Sequence, residues 1–333
     1  MAVAPGRVNL IGDHTDTTGG LVLPMAIDLC TVVQGRPGGD RVVLTSAEEP
    51  ESAVVPLDVT DPAVVEPGWA RYVAGVVAEL RPTVGFTGTV TTTLPVGAGL
   101  SSSAALEVAV ALALGFGGIP LELALLTQRA EQRASGVPCG IMDQLASAAG
   151  VDGHALLIDC HDLTVTPVRL PPDVEVRVVH SGEARRLAGS AYAERRAAAE
   201  AAEAVLGPLR LVTDPAAVDR LDHPVLRRRA RHVITENARV RAFADALWSG
   251  DLTGLGRLMT ASHASLRYDF EVSTPGLDRL VDRLSATPGV HGVRLTGAGF
   301  GGCVVALTAP GTLDEGWLVR AADGARLEPD RPR

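Results

Sequence analysis

Three consecutive serines, Ser101 to Ser103, stand between two glycines and an alanine- and leucine-rich run: LPVGAGLSSSAALEVAVALALG, Leu94 to Gly115. The β-formers VTTTL lead into Pro95, Gly97 and Gly99, so the pattern reads strand, glycine-rich loop, serine triplet, helix. A helix N-terminus leaves backbone N–H groups unpaired and carries partial positive charge. Glycines let a phosphate approach the backbone closely, and the hydroxyls add hydrogen bonds or a place on Mg²⁺. The segment can cradle nucleotide phosphates; an ordinary N-capped helix after a turn would use the same residues.

Two further clusters carry chemistry. APGRVNLIGDHTDTTGG, Ala4 to Gly20, joins an apolar strand (Val8, Leu10, Ile11) to a turn at Gly12 and a polar group of Asp13, His14, Asp16, Thr17 and Thr18. Such a group can grip sugar hydroxyls, ligate a metal through Asp and His, or form a solvated loop. VRLTGAGFGGCVVAL, Val293 to Leu307, formally contains GxGxxG. A dinucleotide fingerprint needs a helix after its glycines and an acid about 20 residues on. Here a strand-like CVVAL follows, so a glycine-rich turn between two strands fits better than a nicotinamide-dependent oxidoreductase.

Composition narrows the field. None of the 30 basic residues is lysine, which excludes a Schiff-base lysine and a GxxxxGK[ST] phosphate loop. Any cation at a phosphate must be arginine, histidine, a metal or a helix end. A net charge of −9 argues against non-specific nucleic-acid binding. The cluster Arg227, Arg228, Arg229 and Arg231 spreads around a helix and reads as solvated surface. Four cysteines (Cys30, Cys139, Cys160, Cys303) lack CxxC spacing, as expected of reduced thiols. No apolar run suits a membrane span and no secretory leader opens the chain, so a cytoplasmic location without a membrane partner is expected.

The 333 residues suffice for two domains. HALLIDC and VTPVRL read as strands before Leu170-Pro171-Pro172-Asp173, and VEVRVVHS opens a second half. That half is mostly helical, with a long helix over Ala188 to Leu206, and returns to strand at Gly292–Leu295 and Cys303–Leu307. Such an order argues an α+β fold divided into residues 1–172 and 173–333.

Together these segments resemble the GHMP kinase superfamily and, within it, the galactokinases, over nearly the whole chain. APGRVNLIGDHTD is similar to the galactokinase signature, LPVGAGLSSSAALEVA to the ATP-phosphate loop, PCGIMDQ (Pro138 to Gln144) to the segment of the catalytic aspartate, and LTGAGFGGC to the third motif. RARHVITENARV (Arg229–Val240) and SLRYDFEVS (Ser265–Ser273) also resemble galactokinase sequence. The resemblance implies a two-domain fold, the N-terminal domain like the second domain of ribosomal protein S5 and the C-terminal one ferredoxin-like, with the active site between them. It implies an ATP- and Mg²⁺-dependent kinase that phosphorylates the C1 hydroxyl of a sugar.

By matching position, Asp143 is the catalytic carboxylate and Arg7 the cation paired with it. Asp13, His14, Asp16, Gly140 and Tyr192 meet the sugar. Pro95, Gly97, Ala98, Gly99, Leu100, Ser101, Ser102, Ser103 and Ala104 form the ATP loop, Trp69 and Tyr72 flank adenine, and Ser103 (or Ser102) with Glu131 holds the metal. The chain departs from the family where Asp13 replaces a glutamate, Thr17 a tyrosine and Tyr268 an aspartate. The first two changes imply a roomier C6 end, and with it a C6-extended or phosphorylated heptose or octose as the alternative to galactose. A catalytically silent sugar and ATP sensor, and a mevalonate or homoserine kinase, are the remaining alternatives.

Overall fold

The computed structural model describes residues 1–95, 97–183 and 188–329; Val96 of the serine-loop segment lies outside them, as do 330–333 at the end of the second expected domain. In chain order the elements are β1 (Ala2–Asn9), β2 (Leu21–Val22), β3 (Pro24–Pro37), β4 (Arg41–Ser46), β5 (Ala53–Pro56), α1 (Ala70–Leu80), β6 (Phe86–Thr92), α2 (Ser102–Ala113), α3 (Pro120–Ser135), α4 (Met142–Ala149), β7 (His154–Asp159) and β8 (Thr164–Arg169). There follow β9 (Glu175–His180), α5 (Ala188–Leu206), α6 (Pro224–Ser249), α7 (Leu252–Ser265), α8 (Pro275–Ser285), β10 (Val290–Thr296), β11 (Cys303–Thr308), β12 (Trp317–Val319) and β13 (Arg326–Leu327).

Among the described residues the strands form three sheets. The largest runs β13-β1-β3-β6-β4-β5, the second β10-β11-β9-β12, and a small third β2-β7-β8. Pairing is antiparallel except between β4 and β6. Helices segregate from strands instead of alternating with them, the α+β arrangement expected from the sequence. The late strand β13 pairs with Ala2 and Val3 of β1, so the tail of the chain completes the first sheet.

Among the described residues three apolar cores hold the molecule. One packs α1 to α4 against the large sheet, with Val73, Val77, Val108, Leu145 and Leu44 at its centre. Another fills the second sheet against α5, α6 and α8, through Val233, Leu277, Leu295 and Val304. Between them Leu10, Ile11 and Met25 pack with Phe243, Leu247, Met259 and Val305. This middle core binds the two halves together, each fully buried side chain worth roughly 1.5–3 kcal/mol.

One local irregularity matters for function. The β1–β3 ladder shifts register between Pro5 and Arg7, and such a bulge re-aims the next side chain. Gly6 permits it: a Cβ there would stand 2.5 Å from Leu100 O. The strand therefore lies directly against the serine loop, and Arg7 N donates to Leu100 O at 3.1 Å.

The basic cluster corrects an expectation. Arg229 is buried, not solvated; it donates to Asp269 O and to the Glu271 carboxylate. Arg228 and Arg231 pair with Glu271 and Asp269. The cause is the single π-helical turn Leu266–Phe270 that closes α7: it turns acceptors toward α6. The glycine run 297–302 joins β10 to β11, with Thr296 opposite Cys303, so no helix follows it and the dinucleotide reading falls away.

Candidate active site

A cleft of about 410 Å³ opens where the serine loop, the Asp13–Asp16 turn, the start of α4, α5 and the glycine turn after β10 meet. Its floor is an ion pair. Arg7 Nε donates to Asp143 Oδ1 at 2.7 Å and its NH2 to Oδ2 at 2.6 Å, while NH1 donates to Gly99 O at 2.8 Å. The bulge in β1 aims the arginine; α4 begins at Met142 and carries Asp143 in its first turn, where the helix end favours a carboxylate. A third donor comes from Ser101, whose Oγ lies 2.5 Å from Asp143 Oδ2.

Ser101 sits in the left-handed region at φ 58° and makes no side-chain cap to α2. Its backbone turns the hydroxyl away from the helix and toward Asp143. Gly97, Gly99 and Ser101 to Ser103 line the cleft, with the unpaired first-turn amides of α2 behind them. Pro95, Ala98, Leu100 and Ala104 do not line it; Ala98, Leu100 and Ala104 are buried and support the loop from beneath.

The sugar-loop residues divide. Asp13 is buried, its carboxylate taken by Arg294 and by Gly297 N at 2.8 Å. His14 stands at φ 65°, with its ring 4.6 Å from Phe270 and 5.7 Å from Tyr192. Its Nε2 is buried without a partner among the described residues and the residue lines the cleft. Burial, then the neighbouring His232 and Arg294, lower its pKa to about 3, so it offers a neutral imidazole. Asp16 is raised to about 6 by desolvation and then by Asp143. It lies so near Gly140 that a Cβ on that glycine would collide with Asp16 Oδ2. Burial also pushes the Tyr192 hydroxyl well up, so it remains a neutral phenol.

Thr17 does not line the cleft. It borders a separate hollow of about 180 Å³ beyond Asp16 and Gly140, so the exchange of tyrosine for threonine does not widen the cleft itself. The shorter Asp13 likewise leaves no free carboxylate, because Arg294 reaches across from β10 to meet it. Asp13 spends its carboxylate on Arg294 and Gly297 N, and among the described residues no group of three or more His, Cys, Asp or Glu is arranged to hold a metal.

Across the cleft, Ser103 Oγ donates to Glu131 Oε1 at 2.8 Å. Glu131 projects from α3, which ends at Gly136 in the left-handed conformation. Desolvation, then Asp143, raises its pKa to about 7. Tyr72 lines the cleft. Trp69, expected to share a face with it, does not: its indole N–H donates to Glu51 O at 3.0 Å, and the ring packs on the first core.

Three polar residues at the site went unnoticed in the sequence. Arg294 is fully buried and bonds Leu10 O at 3.1 Å as well as Asp13. Gln144 and Glu107 are fully buried behind Glu131. Each carries the same signal, a long polar side chain inside an apolar run: VRLTG for Arg294, SSAALEVAVALA for Glu107, MDQLASAA for Gln144.

Comparison with known proteins agrees with this geometry. The galactokinase galactose-binding signature matches residues 1–37, the GHMP kinase N-terminal domain residues 71–151, and the GHMP kinase C-terminal domain residues 243–316. A galactokinase of Chloroflexus aggregans is 45% identical over 99% of this chain and 90% of its own. Human galactokinase is 44% identical over 97% of this chain and 91% of its own. The crystal structure of Lactococcus lactis galactokinase complexed with galactose superposes with a TM-score of 0.89 at 30% identity, covering 98% of this chain and 94% of that one.

Proposed function

The chain belongs to the galactokinase family of GHMP kinases, a two-domain fold of sugar kinases that use ATP, and from that premise we propose that Asp143 and Arg7 carry the transfer of the ATP γ-phosphoryl group to the C1 hydroxyl of galactose. The observation that supports the assignment is the bidentate Arg7–Asp143 pair on the cleft floor, between the serine loop and the sugar loop.

The donor and acceptor inventory supports these roles. A carboxylate has about four acceptor sites. Asp143 spends two on Oδ2, to Arg7 and Ser101, and one on Oδ1. The free site on Oδ1 is where a sugar hydroxyl can donate. Arg7 has about five N–H donors; Nε, NH1 and NH2 each commit one. The remaining hydrogens on NH1 and NH2 are free for the equatorial oxygens of the transferring phosphoryl. The C1 oxygen then attacks phosphorus, its proton passes to Asp143 Oδ1, and the bond from Pγ to the ADP oxygen breaks. Placing hydroxyl and phosphoryl together supplies most of the catalysis, with Arg7 stabilising charge that develops in the transition state.

Asp16, the neutral His14, Tyr192 and the backbone at Gly140 are assigned to the other sugar hydroxyls. Asp13 acts with Arg294 as the fixed end of that wall. Tyr72 is assigned to the nucleotide base. Trp69 holds the start of α1.

Ser103 and Glu131 fit a magnesium ion. The pair supplies two oxygens, and Mg²⁺ commonly takes one or two protein ligands, the rest coming from water and phosphates. A desolvated carboxylate crowded by Asp143 gains when a cation binds. The ion would neutralise charge on the β- and γ-phosphates of ATP. The test is the product: with galactose and Mg·ATP, ³¹P–¹H NMR should show phosphorus coupled to the anomeric proton. A phosphate at any other carbon, or hydrolysis of ATP without sugar phosphate, refutes the assignment.

A further inference from the structure

Both oxygens of Glu131 are held, and by different means. Oε1 accepts from Ser103 Oγ at 2.8 Å. Oε2 accepts from Gln144 Nε2 at 2.5 Å. That same amide nitrogen lies 3.4 Å from Glu107 Oε2. Glu107 stands one helical turn beyond Ser103 on α2, and Gln144 directly follows Asp143 on α4. An acid–amide–acid chain therefore links α2, α4 and α3 immediately behind the cleft, and neither Glu107 nor Gln144 forms part of its wall.

The arrangement is costly. Glu107 and Gln144 are both fully buried, and Glu107 Oε1 and Gln144 Oε1 have no partner among the described residues. An unsatisfied buried polar atom is destabilising, and α2 is otherwise apolar here, so leucine or methionine would pack at less cost. Burial, then the charge of Glu131, pushes Glu107 well above the usual carboxylate range.

We propose that Gln144 and Glu107 are positioning residues for the metal–nucleotide site: the Gln144 amide fixes Glu131 so that its Oε1 faces Ser103, and Glu107 fixes the amide. Because Gln144 and Asp143 are neighbours in one helical turn, the same element sets both the metal carboxylate and the catalytic one. This rests on the assignment of Ser103 and Glu131 to the metal.

The test measures binding apart from turnover. Mn²⁺ with the non-hydrolysable analogue AMPPNP is titrated into the intact protein, followed by electron paramagnetic resonance and calorimetry. Gln144→Met removes the amide at similar length; affinity for the metal–nucleotide should fall about 10- to 100-fold, as for other partners that orient a metal ligand, while galactose affinity stays within about twofold. Should Gln144→Met not fold, Gln144→Asn, one methylene short, carries the same expectation. Glu107→Leu should also weaken metal–nucleotide binding, and Glu107→Gln, which keeps an acceptor, should restore it. Glu131→Ala is the control. If it loses metal–nucleotide affinity while Gln144→Met retains it within about twofold, the positioning role is refuted. If Glu131→Ala retains it too, the metal assignment falls and the proposal with it.

Discussion

The state of Glu131 sets a pH dependence that an ordinary glutamate would not show. Its pKa lies at about 7 where 4.5 is usual, because of desolvation and then the Asp143 charge. A metal ligand must be ionised, so binding the metal–nucleotide displaces a proton. The dissociation constant should vary as one plus the ratio of protonated to ionised Glu131, and affinity as its inverse. Relative to its plateau affinity falls about tenfold at pH 6 and about a hundredfold at pH 5, whereas a glutamate at its ordinary pKa would lose almost nothing at pH 6. Calorimetry with Mg·AMPPNP in two buffers of different ionisation enthalpy reads both the affinity and the proton released, close to one per site at pH 6. Glu131→Gln should bind more weakly at pH 8 and keep only the slope of the phosphates' own titration, which separates that contribution from Glu131. The sign for folding follows from the raised value: the folded chain keeps this proton where the unfolded chain has lost it. That contribution is present below about pH 4.5 and is lost as pH rises through about 7. A wild-type affinity flat between pH 8 and 6, or an equal slope in Glu131→Gln, refutes the reasoning.

Other variants probe separate parts of the site. Gly140→Ala places a Cβ against Asp16; the displaced carboxylate should cost about 10- to 100-fold in kcat/KM for galactose, with the KM for ATP unchanged. Arg294→Met strands the buried Asp13 carboxylate and should lower stability by about 3–5 kcal/mol, partly recovered in the double variant with Asp13→Asn; chemical denaturation reads both. Tyr72→Ala should raise the KM for ATP more than Trp69→Ala does, since only Tyr72 lines the cleft, and Trp69→Ala should mainly lower Tm.

Much of this was legible in the residues because local chemistry and global role coincide. The serine triplet after two glycines gave a loop and helix start that pack against β1, and the glycine run before CVVAL gave a turn between strands. Motif order pointed to Arg7, Asp143, Ser103 and Glu131, which the fold brings to one cleft although they lie up to 136 positions apart. What escaped depended on long-range geometry. Three-residue spacing put Trp69 and Tyr72 on one helical face, but Trp69 bonds Glu51 O and packs on the first core, a tertiary contact that spacing does not reveal. Arg229 seemed a surface charge because no helical periodicity reveals a π-turn supplying acceptors from 40 positions away. Residue size alone suggested a roomier pocket at Asp13 and Thr17; the compensating Arg294 comes from another sheet, and Thr17 faces another hollow.

In the proposed mechanism the Arg7–Asp143 pair does the chemistry and not merely the folding. Single-turnover phosphorylation of galactose by Asp143→Asn, with galactose and nucleotide affinities measured on the same preparation, tests it most directly. The expected rate is lowered by about 10²- to 10³-fold or more, with both affinities kept within a few-fold and the fold intact. A rate near wild type in that folded, ligand-binding variant would contradict the mechanism.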